Sequence, residues 1–280
     1  VPEIRVVTDS ACDLPPALVT ELGIEIVPLT VRFGETELVD RRDLTPSEFW
    51  ARCDSSPQLP ETAAPSPGAF EEAFRRLAGE GATGVTCICL SAALSATHQS
   101  AELAARAVAE DIPVRVVDSR SVSLGEGRMA MAAAQVAAAG KSLDDVAGAA
   151  QDLVARTRLY AALDTLENLK KGGRIGGAQA MIGTMLSIKP IIKVVDGKVE
   201  QEAKPRTRGR SLRYMVDATV AQGRVENLSV VQADAADADD FVAMLRTAFP
   251  GQDVLVSDVG AVIGTHVGRG AMGVIFHVPR

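Results

Sequence analysis

VTCICLSAALSATHQS, residues 85–100, is the stretch whose reading decides the fold. Its first six residues, rich in β-branched and thiol side chains, predict a buried strand. The next ten hold four hydroxyls (Ser91, Ser95, Thr97 and Ser100), and the AELAARAVAE that follows has helical period and composition. A strand feeding a hydroxyl-rich loop into a helix start makes an anion site, because free amides, the positive end of the helix dipole and short hydroxyls converge there. A second loop of this kind lies upstream in ETAAPSPG (residues 61–68), with Thr62 and Ser66 ahead of another helix. Each hydroxyl has two open readings, a helix cap or a ligand contact.

Outward from that stretch the chain alternates. IRVVTDS is a strand ending in Thr8-Asp9-Ser10, and a helix from about Pro15 to Leu22 follows. Asp9 stands where open α/β sheets place groups that bind ligand or organise loops, and fixing the loop's amides is the preferred role. IEIVPLTVRF reads as one long strand. Thr45-Pro46-Ser47-Glu48 is a capping box that opens a short helix through Cys53. VRVVDS (residues 114–119) repeats the strand-then-Asp-Ser ending. A long helix from about Leu124 stops at Gly140, and Ser142 caps another through about Ala155. Regular β-α alternation implies a parallel sheet with helices on both faces.

After Arg156 the texture changes. RLYAAL is a short strand, and DTLENLKKGGRIGG is a helix with a glycine stop. An amphipathic helix through about Ser187 puts Met181, Ile182, Met185 and Ile188 on one stripe. PIIKVVDGKVEQEAK is a hairpin turning on Asp196-Gly197. Helices at 208–222 and 237–248 then alternate with strands at 227–233 and 253–258, before a glycine-rich segment and a strand near 274–278. The expected fold is therefore α/β in two domains: residues 1–157 around a mostly parallel sheet, and 158–280 around a mixed one.

Composition narrows the class. The 280 residues are 47% hydrophobic, 4% aromatic and 23% charged, ordinary for an α/β protein packed with Ala, Val and Leu. No apolar run reaches the roughly 18 residues a membrane helix needs, and VPEIRVVTDS lacks the pattern of a signal peptide. Cys12, Cys53, Cys87 and Cys89 form no CxxC pair, and Cys87 and Cys89 pack as small hydrophobes. A cytoplasmic location is the expectation. The net charge of −7 argues against nucleic acid as a partner, yet residues 170–213 hold eleven Lys/Arg against three acids. That segment is either a solvated face or a docking surface for an acidic partner or an anionic membrane.

Catalytic chemistry is thin. His98, His266 and His277 lie far apart, none with the spacing of a zinc site. No GxSxG or P-loop occurs, and the one GxGxxG, residues 268–273, leaves no room for a βαβ unit before the chain ends. No metal and no cofactor are expected. Arg174 in GGRIGG is a fixed positive charge suited to a carboxylate or phosphate, and His266 in GTHVGRGAMG sits in what reads as a flexible, amide-rich turn. Each also has a purely structural reading, as a surface ion pair and a turn support.

TDSACDLP, TAAPSPG, LSAALSATHQSA, VVDSRSVSLGEG, LENLKKGGRI, KPIIKVVDG and GTHVGRGAMG, in this order, resemble the DegV family of bacterial fatty-acid-binding proteins. The resemblance implies two α/β domains, with a long-chain fatty acid such as palmitate in a tunnel within the first and its carboxylate at the domain interface. It also implies a carrier rather than an enzyme, handing that carboxylate to a separate fatty acid kinase for conversion to acyl phosphate, as a step in phospholipid metabolism. By position the carboxylate ligands are Thr62 and Ser95, with Arg174 and His266 near the head group. The chain departs from the family pattern at Ala63, Ala96, His98 and Arg269. About 14 methylenes at ~0.8 kcal/mol each supply roughly 11 kcal/mol before ordering costs, so the tail gives affinity and the hydroxyls fix the head. The alternatives are a phosphotransferase carrying phosphate on His98 or His266, and a structural protein that binds nothing.

Overall fold

The computed structural model describes residues 3–56 and 58–280, with only the backbone at 183–187. The first half runs β1 (Ile4–Asp9), a 3-10 turn (Ser10–Cys12), α1 (Pro16–Glu21), β2 (Glu25–Val27), β3 (Thr30–Phe33), β4 (Thr36–Val39), α2 (Pro46–Ser55), β5 (Glu61–Ala63), α3 (Pro67–Gly79), β6 (Gly84–Cys89), α4 (Thr97–Ala107), β7 (Val114–Asp118), α5 (Leu124–Ala138) and α6 (Leu143–Val154). The second runs β8 (Thr157–Ala162), α7 (Glu167–Lys171), a 3-10 helix (Gly176–Ser187), β9 (Ile191–Val195), β10 (Lys198–Ala203), α8 (Arg208–Val220), β11 (Glu226–Gln232), α9 (Ala238–Ala248), β12 (Leu255–Asp258), α10 (Ala261–Val267) and β13 (Met272–His277).

Among the described residues these strands form three sheets. The first is parallel, in the order β2-β1-β6-β7. The second is mixed, in the order β10-β9-β8-β13-β11-β12, with only β11 and β12 parallel. The third is a small antiparallel sheet, β4-β3-β5. The fold is thus α/β with a parallel and a mixed sheet.

The pleat explains the layers. On β6, Val85, Cys87 and Cys89 pack with Phe70, Phe74 and Leu77 of α3 and Ala101 and Ala104 of α4, whereas Ile88 faces α5 and α6. Cys87 and Cys89 are free, their sulfurs 3.7 Å apart. The mixed sheet alternates in the same way. Tyr160 and Ala162 of β8 join α8 and α9, while Leu159 and Ala161 face the α5–α6 layer. That middle layer is the largest apolar cluster and takes side chains from both sheets.

Several sequence expectations change. The long strand over IEIVPLTVRF breaks at Pro28, which has no N–H to give a ladder, so β2 stays on the parallel sheet and β3 starts the small one. Thr62 accordingly lies on β5, opposite Val31, rather than in a loop. The helix expected through GGRIGG ends at Lys171. The amphipathic helix is a 3-10 helix in which Met181 is buried and Ile182 half-buried; Ile188 is buried just past its end, and the Met185 side chain lies outside the described residues. Part of the glycine-rich segment forms α10, so His266 occupies the last turn of a helix and not a flexible turn. Gly264 hides that helix in the sequence, and packing is what requires it: a Cβ there would lie 2.8 Å from the Phe49 ring and 3.2 Å from Trp50.

Candidate functional site

Four elements bring the candidate head-group residues together. β5 supplies Thr62, the loop before α4 supplies Ser95, the turn after α7 supplies Arg174, and α10 supplies His266. All four line one cavity of about 190 Å³. Its remaining walls are nearly all aliphatic, among them Leu29, Leu90 and Val122 from the first half and Leu159, Val231 and Ile263 from the second. The resemblance placed a tunnel within the first domain. This cavity lies between the parallel and the mixed sheet, and most of its lining comes from beyond residue 157.

The polar contacts are specific. Thr62 Oγ1 lies 2.9 Å from His266 Nε2. The other ring nitrogen of His266 is buried without a hydrogen-bond partner among the described residues, and a Cβ on Gly172 would collide with it. Burial first, and then the Arg174 charge, pushes the His266 pKa down to about 4, so the ring is neutral near pH 7. Asn168 Nδ2 donates to the Thr265 carbonyl at 3.0 Å, which ties α7 to α10. Arg174 Nε donates to the Leu94 carbonyl at 3.0 Å and Nη1 to the Gly172 carbonyl at 2.6 Å. Two backbone carbonyls therefore hold the guanidinium in place beside the cavity.

The hydroxyls of the deciding stretch divide. Ser95 reaches the cavity, with Oγ 2.8 Å from Thr97 Oγ1 while it accepts the Thr97 amide at 3.3 Å. Ser91 donates to the Gly197 carbonyl at 2.7 Å and fastens the β9–β10 hairpin tip to this loop. The turn at Asp196 and Gly197, with φ of 48° and 78°, matches the asparagine- or aspartate-glycine hairpin chemistry read from the sequence. Ser66 accepts the Ala69 amide and is a helix cap. His98 lines a different cleft, and His277 sits on β13 beside Asn227.

A polar cleft of about 690 Å³ adjoins the cavity. Ser56, Gln58, Asn168 and Lys171 line it, and it shares Thr62, Arg174 and His266 with the apolar cavity. Those three side chains therefore form the boundary between a greasy interior and a wet exterior. A ligand with an apolar body and an anionic end fits such a boundary; a wholly polar ligand does not.

Another polar cluster, this one fully buried, lies around the TDSACD turn. Asp9 accepts the Ala11 and Leu90 amides, each at 2.9 Å, and so organises both loops as the sequence suggested. Asp13 accepts Ser123 Oγ at 2.5 Å and the Gly260 amide at 2.9 Å, joining α5 to the start of α10. Thr8 Oγ1 donates to Glu126 at 2.7 Å. Glu126 Oε2 and Asp40 Oδ2 are buried without a hydrogen-bond partner among the described residues. Burial raises Asp9 to about 6 and Asp13 to about 7, and it holds Glu126 well above the usual carboxyl range. The sequence reading missed Asp13 and Ser123, although both stand inside quoted motifs, because nothing local says that residues 13, 123 and 260 meet.

A family model described as "Uncharacterised protein, DegV family" matches residues 3–278. A DegV domain-containing protein of Streptomyces coelicolor is 38% identical over 276 residues, 97% of each chain. A solved structure described as showing fatty acid binding by a DegV family protein from Thermus thermophilus has 34% identity and a TM-score of 0.89, over 99% of this chain and 100% of that one. Another, described as DegV, a fatty acid binding protein from Bacillus subtilis, has 28% identity and a TM-score of 0.90 over the full length of both. Among the described residues no helix is long and apolar enough to cross a membrane, and no group of three or more His, Cys, Asp or Glu is placed to hold a metal.

Proposed function

Since the chain belongs to the DegV family, we propose that it is a carrier that binds a long-chain fatty acid and presents the carboxylate to a separate fatty acid kinase. One observation carries this reading: Thr62, Arg174 and His266 belong to the wall of the apolar cavity and of the polar cleft at once. The hydrocarbon occupies the cavity, and the carboxylate sits at the boundary, within reach of a phosphoryl donor approaching through the cleft. Arg174 supplies the fixed charge, and Ser95 and Thr62 supply hydroxyl donors.

The neutral imidazole orients this arrangement. With its proton on Nε2, His266 donates to Thr62 Oγ1, which leaves the Thr62 hydroxyl proton for the carboxylate. The bare Nδ1 is then the nitrogen without a partner, the cheaper of the two to bury. A phosphohistidine at this position fits the geometry less well, because Nε2 is engaged by Thr62 and Nδ1 is walled by Gly172.

The decisive measurement is mass spectrometry of lipid released on denaturing the purified protein. A long-chain fatty acid at near one per chain is expected, and its absence overturns the proposal. The kinase step is tested apart from binding, by supplying loaded protein to a fatty acid kinase with ATP and magnesium and assaying acyl phosphate.

A further inference from the structure

The polar cleft holds more positive charge than one carboxylate needs. Its charged lining among the described residues is Glu61, Lys171 and Arg174, and Glu61 is paired with Arg32, which does not line it. Arg174 stands at the boundary, held by the Leu94 and Gly172 carbonyls. The Lys171 side chain has neither an ion pair nor a hydrogen bond among the described residues.

Helix spacing places that free charge. Asn168, Lys171 and Gly172, at the C-terminal end of α7, are three and four residues apart and line the cleft together, whereas Lys170 does not. Gly172 fixes their position. A Cβ on it would lie 2.4 Å from His266 Nδ1, and its carbonyl accepts Arg174 Nη1 at 2.6 Å. Lys171 is therefore one peptide, about 3.8 Å between Cα atoms, from a residue that touches two head-group side chains. Unlike Thr62, Arg174 and His266, it lines the cleft and not the apolar cavity.

Charge balance says what this ammonium can do. In the transfer a carboxylate oxygen attacks the γ-phosphorus of the kinase's ATP and forms a new C(O)O–P bond. The bond from that phosphorus to the β,γ-bridging oxygen breaks, and ADP leaves with the electron pair; no proton moves. The lipid head passes from one negative charge to about two. Arg174 matches the first. We propose that Lys171 binds the phosphoryl group of the product, so that the carrier holds an acyl phosphate as well as a fatty acid. This rests on the carrier reading of the site. Lysine suits the task as a point charge that meets three oxygens without demanding one orientation. If Lys171 only complemented the dipole at the end of α7, its loss would touch both ligands alike.

The test compares two ligands on delipidated full-length protein: palmitate, and the stable analogue of palmitoyl phosphate in which CH2 replaces the bridging oxygen. Each is titrated against a fluorescent fatty acid, and the ratio of the two affinities is read. Lys171→Met should shift that ratio against the phosphonate by roughly fivefold, the upper end for an exposed charge pair. Lys171→Arg should keep it within about twofold, and added salt should shrink the difference. An unchanged ratio in Lys171→Met overturns the assignment, as does a parallel loss of both ligands or an unmodified protein that binds palmitate but not the phosphonate. In each of those cases the carrier reading stands. Unmodified protein that binds neither ligand removes the carrier reading, and the role of Lys171 with it.

Discussion

Two polar clusters of this protein, one half-buried and one fully buried, have opposite valence. Around Thr62, Ser95, Arg174 and His266 there are donors and a fixed positive charge, and no carboxylate among the described residues lines the cavity they share. Around Asp9, Asp13, Asp40 and Glu126 there are acceptors, and Arg41 is the cation whose charge acts on the three aspartates. In the acidic cluster Asp9 and Asp13 are spent on amides from neighbouring loops, and Glu126 and Asp40 each keep one buried oxygen without a partner among the described residues. The basic one leaves capacity open beside a cavity. An unspent donor set, half-buried beside apolar space, is what separates a candidate binding site from a fully buried structural seam.

Removing the fixed charge should break the contrast most. Arg174→Gln is expected to weaken fatty-acid binding by about 10- to 100-fold, in line with a charge-assisted contact of roughly 1.5–3 kcal/mol. Displacement of a fluorescent fatty acid measures it; a change under threefold would place the carboxylate elsewhere.

The acidic seam should respond to pH in the unusual direction. Asp13 has a folded pKa of about 7 against an unfolded value near 3.8, so its stabilising contribution is full below 3.8 and is lost as pH rises through 7. Asp9, at about 6, acts with the same sign. Thermal unfolding should therefore show a higher midpoint at pH 6 than at pH 8, and Asp13→Asn should flatten that slope by up to about 1.4 kcal/mol per pH unit.

His266 should pull the other way. Its folded pKa of about 4 lies below an unfolded value of 6.5, so its contribution is present above 6.5 and lost as pH falls towards 4. His277 does the same. His266→Gln should make the empty protein resist acid better between pH 6.5 and 4 than the parent does, and an unchanged acid limb would show the ring is not held neutral.

The smallest binding effect belongs to Thr62→Ala, about tenfold, the low end for a hydroxyl donating to a carboxylate. Phosphoryl transfer should suffer more, because it depends on where the carboxylate points. Equal losses in the two assays would deny that division of labour.

Much of this was legible in the sequence. The β-α alternation, the caps at Thr45 and Ser142 and the Asp196-Gly197 turn are local signals, and each appears in the fold. The four candidate head-group residues also meet around one cavity. What stayed hidden depends on distant contacts. Gly264 lowers helix propensity locally and is required by Phe49 and Trp50, more than 200 residues away. Asp13 acquires its role only when Ser123 and Gly260 arrive. Thr62 reads as loop because three residues of strand carry no periodicity, and its partner β3 was merged with β2 across Pro28.

The middle layer, shared by both sheets and hollow at its centre, ties cargo to survival. An acyl chain lodged there would supply missing packing to the protein's own interior. Stripped copies should then open more often and be cleaved sooner by protease than filled ones, so that durability itself reports whether a molecule is carrying its load.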